Sequence, residues 1–201
     1  MTKTLSKIFT YVYTIILVSY ISIKSYSNTI TTDEAYSFLE YVYTGNIFNI
    51  GLANNHLLNT FLMYLSTTFS IQEIYLRLPN LLLGVIYIVL SLLISKKFQD
   101  PIYALIVLTA CPYLIDYFTL ARGYGIASGF IFLGCVFFYL FKDVNYNFLI
   151  ANSCFILASL SIHIYLVFLI VFFILNIKKY FIKNRLGSLV SFIMVIFFSR
   201  H

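Results

Sequence analysis

The chain has 201 residues, of which 61% are hydrophobic and only 10% charged, and its mean hydropathy is +0.93. A soluble globular domain carries about 25% charged residues, so that class is excluded and an integral membrane protein is expected. The net charge of +6 needs no nucleic-acid partner, because the topology derived below accounts for it.

A bilayer core about 30 Å thick is crossed by about 20 apolar residues in a helix, and runs of that kind occupy most of the chain. The first covers residues 8–23, follows Lys3 and Lys7, and lacks a small-residue cleavage site, so it reads as a retained anchor helix. Further runs cover residues 78–95, 102–118, 125–141, 148–161, 164–177 and 186–199. They are too long and continuously apolar for barrel strands. The expected fold class is all-α, a multi-pass transmembrane helical bundle of about seven spans forming one membrane domain over 1–201.

Short cytoplasmic loops retain lysine and arginine. With the N-terminus inside, nine of the 13 basic residues fall on the cytoplasmic side, and Lys24, Arg77, Arg122 and Arg200 fall outside. Asp33, Glu34, Glu40 and Glu73 lie in the first outer loop, and Asp116 lies near the outer end of the third span. The predicted location is the cell (inner or plasma) membrane, with the N-terminus cytoplasmic and the carboxylates gathered on the extracytoplasmic face. Cys111, Cys135 and Cys154 lie within apolar runs without metal-site or redox spacing, and read as inert core thiols.

The first outer loop, about residues 26–75, is the one long segment between spans, and such loops are commonly functional. Residues 33–43 and 56–69 read as two amphipathic helices lying at the interface, with Thr44-Gly45-Asn46 and Asn54-Asn55 supplying turn chemistry. Thr31-x-x-Glu34 is a capping box, which by itself accounts for Glu34. Asp33, Ser37 and Glu40 are expected on one helical stripe, an oxygen-bearing face suited to a general base or a hard cation. Arg122 lies in the short connection Thr119-Leu120-Ala121-Arg122-Gly123-Tyr124-Gly125, which puts its guanidinium at the headgroup boundary, either as a snorkelling anchor or as an anion ligand. Asp116 is its expected ion-pair partner. His163 is expected at the outer turn between spans five and six, and Tyr36 and Tyr124 at the interface; His201 is assigned no role.

Several short segments in order carry a resemblance: Asp33-Glu34 in the first outer loop, the His56-led apolar helix, Arg77-Leu78-Pro79 entering the next span, and Ala121-Arg122-x-Tyr124 after the third. Together they resemble the GT-C glycosyltransferases, and within them the protein O-mannosyltransferase and lipid A aminoarabinose transferase branch, over about residues 31–177. The resemblance implies transfer of a sugar from a polyprenyl-phosphate donor to a lipid, glycan or protein acceptor on the outer face. It implies Asp33 as catalytic base with Glu34 as its partner, and Arg122 as phosphate ligand, with His56, Tyr124 and His163 as further substrate-binding positions. His56 stands where a basic residue precedes a Pro-Pro-Leu segment in related sequences, but Leu57-Leu58 replace the prolines here.

No cofactor is specified; a divalent cation held by Asp33 and Glu34 is the one metal the carboxylates allow, and two adjacent acids define no coordination geometry. Family members continue for several more helices, so the chain is expected to be the N-terminal part of a larger GT-C fold, or a truncated and inactive product. The alternative from another class is a transporter or lipid-handling protein in which Asp33, Asp116 and Arg122 line a pathway. No ionisable residue sits at the middle of a span, where transport sites usually lie.

Overall fold

The computed structural model describes residues 3–48, 56–140, 147–172 and 174. These residues are helical, with no strand among them. The elements are α1 (Lys3–Ser27), α2 (Thr32–Ser37) running into a π-helical turn (Phe38–Tyr43), α3 (Leu57–Thr67), α4 (Glu73–Ser95), α5 (Pro101–Thr109), α6 (Pro112–Tyr117), α7 (Gly123–Leu140), α8 (Asn147–Ser161) and a 3₁₀ turn (His163–Tyr165).

Three helices among the described residues are long and apolar enough to cross a membrane: α1 from Thr4, α4, and α7. The α8 helix and the segment His163–Phe172 are apolar but shorter. The run at 186–199 and the basic residues Lys142, Lys178, Lys179, Lys183 and Arg185 lie outside the described residues, as does Asn54-Asn55.

The surface of α1 argues for lipid as its solvent. Ser6, Thr10, Thr14, Ile21 and Ser25 are buried along one stripe, while Ile8, Phe9, Val12, Ile15, Ile16 and Ile23 are exposed. A helix meeting water shows the reverse arrangement, whereas small and hydroxyl-bearing residues at helix contacts are the rule in a bilayer. Two of the buried hydroxyls are satisfied locally, Thr10 donating to the Ser6 carbonyl at 2.7 Å and Thr14 to the Thr10 carbonyl at 2.8 Å, whereas the Ser6 and Ser25 hydroxyls have no hydrogen-bond partner among the described residues.

The apolar run expected as a single span at 102–118 is instead two helices. Pro112 occupies the first turn of α6, and Cys111 before it is extended (φ −81°, ψ 102°). Proline removes a backbone donor and disfavours helical geometry in the preceding residue, so α5 stops at Thr109. The Tyr87 hydroxyl donates to the Leu108 carbonyl at 2.6 Å, satisfying an acceptor near the break.

The centre of the bundle is α4, which packs against α1, α3, α5 and α7. Ile21, Tyr87, Ile88, Ile115 and Phe118 form one buried core between α1, α4 and the α6 region. At Gly84 a methyl group would lie 2.6 Å from Phe118 Cβ, so the missing side chain permits this close approach. A second core of Val42, Met63, Leu76 and Ala121 ties the π-helical turn, α3 and α4 to the connection before α7. It places the carboxylates of α2 beside that connection.

Candidate functional site

The site begins with the capping of α2. Thr31 is extended at the N-cap, its hydroxyl accepts from Glu34 N–H at 3.3 Å, and the Glu34 carboxylate accepts from Thr31 N–H at 2.9 Å. This reciprocal pair fixes the first turn of the helix and aims the two acids differently. Glu34 turns inward and is wholly buried, whereas the Asp33 side chain is 58% exposed.

Glu34 meets Arg77 of α4 in a buried, fully hydrogen-bonded pair. Arg77 Nε donates to Glu34 Oε1 at 2.9 Å and Nη2 donates to Oε2 at 2.9 Å, a bidentate arrangement. The remaining guanidinium hydrogens go to backbone carbonyls: Nη1 to Ser25 at 3.0 Å and Asn28 at 2.7 Å, and Nη2 to Thr29 at 3.0 Å. All five donors of the arginine are thereby used. Glu34 Oε1 also accepts from the Ala121 N–H, 87 positions away, at 2.6 Å. Burial alone would raise the Glu34 carboxyl, but Arg77 and the Ala121 and Thr31 amides outweigh it and hold it below the ordinary carboxylate range.

This knot joins the end of α1, the start of α2, α4 and the connection before α7. Beside it, Asp33 forms an ion pair with Arg122, the residue following Ala121. The Arg122 side chain is 23% exposed, and its guanidinium carbon lies 6.0 Å from the centroid of the Tyr124 ring. Tyr124 stacks on Tyr117 with ring centroids 5.0 Å apart and meets His56 edge-on at 5.5 Å. The structure therefore brings Asp33, Arg122, Tyr124 and His56 together.

His56 stands at the N-cap position of α3 without a side-chain capping bond, and its Nδ1 lies 3.0 Å from the Ser161 carbonyl at the end of α8. Gly123 makes this possible, because a methyl group there would sit 2.7 Å from both His56 Cγ and the Ser161 oxygen. Burial lowers the pKa of His56, the Ser161 carbonyl opposes that shift, and the charge of His163 reinforces it. This favours the neutral imidazole over the cation. His163 begins the 3₁₀ turn close enough to affect it and is exposed. On the other flank Asn59 donates to the Ala121 carbonyl at 3.0 Å, and Asn80 donates to Asn59 Oδ1 at 2.9 Å.

Two expectations are corrected. Asp116 does not pair with Arg122: it accepts from Lys24 Nζ at 2.6 Å and from the Tyr20 hydroxyl at 2.8 Å, because Tyr20 and Lys24 lie one turn apart on α1 and converge on α6. Nor do Asp33, Ser37 and Glu40 share one face, since Ser37 is buried while both acids are exposed. The change to π-helical hydrogen bonding from Phe38 alters the rotation per residue before Glu40, whereas Asp33 and Ser37 already differ in burial within α2. Tyr36 lies apart from Tyr124, packing edge-on against Tyr41 at 6.0 Å.

Glu34 is committed to Arg77 and two backbone amides, so it is not presented with Asp33 to a common ligand. Among the described residues no group of three or more His, Cys, Asp or Glu side chains is placed to hold a metal ion. Arg77, Ala121, Ser161 and Tyr117 are the contributors that sequence reasoning did not assign to the site. Comparison with known protein families, characterised proteins and solved structures finds no match to this chain.

Proposed function

We propose that this chain is a membrane glycosyltransferase that moves a sugar from a polyprenyl-phosphate donor to a hydroxyl-bearing lipid, glycan or protein acceptor. In this reading it has the seven-span, N-terminus-inside arrangement of the GT-C enzymes and acts on the extracytoplasmic face of the cell membrane. The observation that carries the proposal is the pairing of Asp33 with Arg122. A base and a cation are the two groups such a transfer needs from the protein, because the donor already contains a good leaving group.

The carboxylate of Asp33 takes the proton of the acceptor hydroxyl as its oxygen attacks the anomeric carbon. The bond from that carbon to the phosphate oxygen breaks, and the departing phosphate retains the electron pair and rests against Arg122. Helix α7 starts at Gly123, so the positive end of its dipole lies beside the same arginine. While paired with Arg122, Asp33 is a poor base; a donor phosphate that claims the guanidinium frees the carboxylate for the acceptor. Binding of the donor before the acceptor follows from this exchange.

An apolar cavity of about 350 Å³ lies between α3, α4 and α7, lined by Leu62, Leu65, Phe69, Leu82, Ile126 and Phe130 among others. Its chemistry supports a hydrocarbon occupant such as the carrier chain.

The test is transfer from undecaprenyl-phosphate hexose by purified protein in nanodiscs, comparing wild type with Asp33→Asn and Arg122→Ala. Loss of transfer in both, with donor binding weakened only by Arg122→Ala, supports these roles. Undiminished transfer by Asp33→Asn removes Asp33 as the base, and substrate movement across the bilayer without bond cleavage favours the transporter reading.

A further inference from the structure

The His56 imidazole has a proton arrangement that its partner dictates. A backbone carbonyl only accepts hydrogen bonds, so at 3.0 Å from the Ser161 oxygen the Nδ1 atom must carry the hydrogen. In a neutral ring the other nitrogen, Nε2, then holds a lone pair and acts as an acceptor. The ring is held in place by the Gly123 backbone and by the edge of Tyr124. Tyr124, which meets the ring edge-on, also lies 6.0 Å from the guanidinium carbon of Arg122, so imidazole and cation share one tyrosine, and His163 is near enough to act on the ring. A fixed acceptor and a cation that share one tyrosine suit a ligand that carries both a hydroxyl and an anionic group.

Resting on the glycosyltransferase reading above, we propose that His56 is a substrate-binding residue whose Nε2 accepts a hydrogen bond from a substrate hydroxyl beside the phosphate held by Arg122. It serves there as an orienting acceptor and not as a phosphate-binding cation. The hydroxyl belongs either to the donor sugar or to the acceptor alcohol.

The substitution His56→Asn retains an amide N–H near the Nδ1 position for the Ser161 carbonyl and removes the Nε2 acceptor. His56→Gln places a carbonyl oxygen near the Nε2 position. Three quantities are measured in nanodiscs: affinity for undecaprenyl-phosphate hexose, affinity for sugar-free undecaprenyl phosphate, and the acceptor KM. Loss of one hydrogen bond predicts a roughly two- to tenfold effect in His56→Asn, largely restored in His56→Gln. Weakened binding of the sugar-bearing lipid alone identifies the donor hydroxyl, and a raised acceptor KM alone identifies the acceptor hydroxyl. His56→Phe, which keeps a flat ring against Gly123 and lacks both nitrogens, gives the same loss through an independently folded variant. In ¹⁵N spectra of the wild type, Nε2 is the unprotonated nitrogen and its resonance moves when substrate binds.

Equal weakening toward the sugar-bearing and sugar-free lipids, or unchanged binding and KM in His56→Asn, overturns this role while leaving the Asp33 and Arg122 reading intact. Failure of the wild type to bind either lipid overturns both.

Discussion

Replacing Glu34 by glutamine preserves the side-chain shape and removes its charge, which isolates the electrostatic part of the buried knot. Arg77 is 1% exposed, and among the described residues its one other carboxylate neighbour is Glu73, at 4.0 Å and about half exposed. Each Glu34 oxygen receives one arginine N–H and one backbone N–H: Oε1 from Arg77 and Ala121, Oε2 from Arg77 and Thr31. Whichever way a glutamine amide is turned, its NH₂ faces two donors. Removing one partner of a buried pair costs about 3–5 kcal/mol, against a total stability of about 5–15 kcal/mol for an ordinary domain. The assay is denaturant unfolding in detergent micelles at neutral pH. Glu34→Leu combined with Arg77→Met should lose less than the sum of the two single changes, because no uncompensated charge remains, although the Ser25, Asn28 and Thr29 carbonyls still lose their donor. The pH dependence supplies a second readout. The carboxyl is lowered in the folded state, so its contribution is full above the ordinary value of 4.5 and is lost as pH falls through the lower native value. Glu34→Gln should flatten that acid limb. A loss below about 0.5 kcal/mol at neutral pH, the size of a surface substitution, would refute the account of a charge-bearing knot.

Other consequences are separable from this one. Asp33→Asn should change stability by no more than about 1 kcal/mol, because its pair with Arg122 is substantially exposed, yet abolish sugar transfer; unfolding and transfer measured on the same preparation check both halves. Gly123→Ala should cost about 1–3 kcal/mol by forcing a methyl group against His56 and the Ser161 carbonyl, seen as a lowered unfolding midpoint. His56 has a lowered native pKa, so the unfolded chain takes up its proton first as the medium acidifies. Stability should therefore fall as pH drops below the ordinary imidazole value of 6.5, and His56→Gln should remove that slope in denaturant titrations.

The contrast between what is readable and what is hidden in this chain follows the range of the interactions. The α2 cap is written within four residues, Thr31 to Glu34, and the long apolar helices α1, α4 and α7 within about 20, so these are legible from local chemistry. The break at Pro112 was also written locally, but hydropathy averaged over residues 102–118 conceals it behind the apolar neighbours. Ion-pair choice is different, because it depends on which helices pack together. Sequence proximity favours Arg122 for Asp116, whereas the packing of α1 on α4 and α5 brings up Lys24 and leaves Arg122 for Asp33. One signal for the buried knot was available: Arg77 enters an apolar run, and Glu34 sits in a chain with only seven acids. A buried guanidinium requires an opposite charge and several acceptors, so Arg77 implies a carboxylate and free carbonyls nearby. The carbonyls at the end of α1 and the N3 acid of a capped helix meet both needs, and their geometry joins the two halves of the proposed site. Glu34 anchors the amide of Ala121 while its chain neighbour Asp33 reaches the neighbour of Ala121, Arg122. The interior pair thus sets the spacing of the exposed pair, and a mutation that loosens Glu34 should impair transfer without touching substrate.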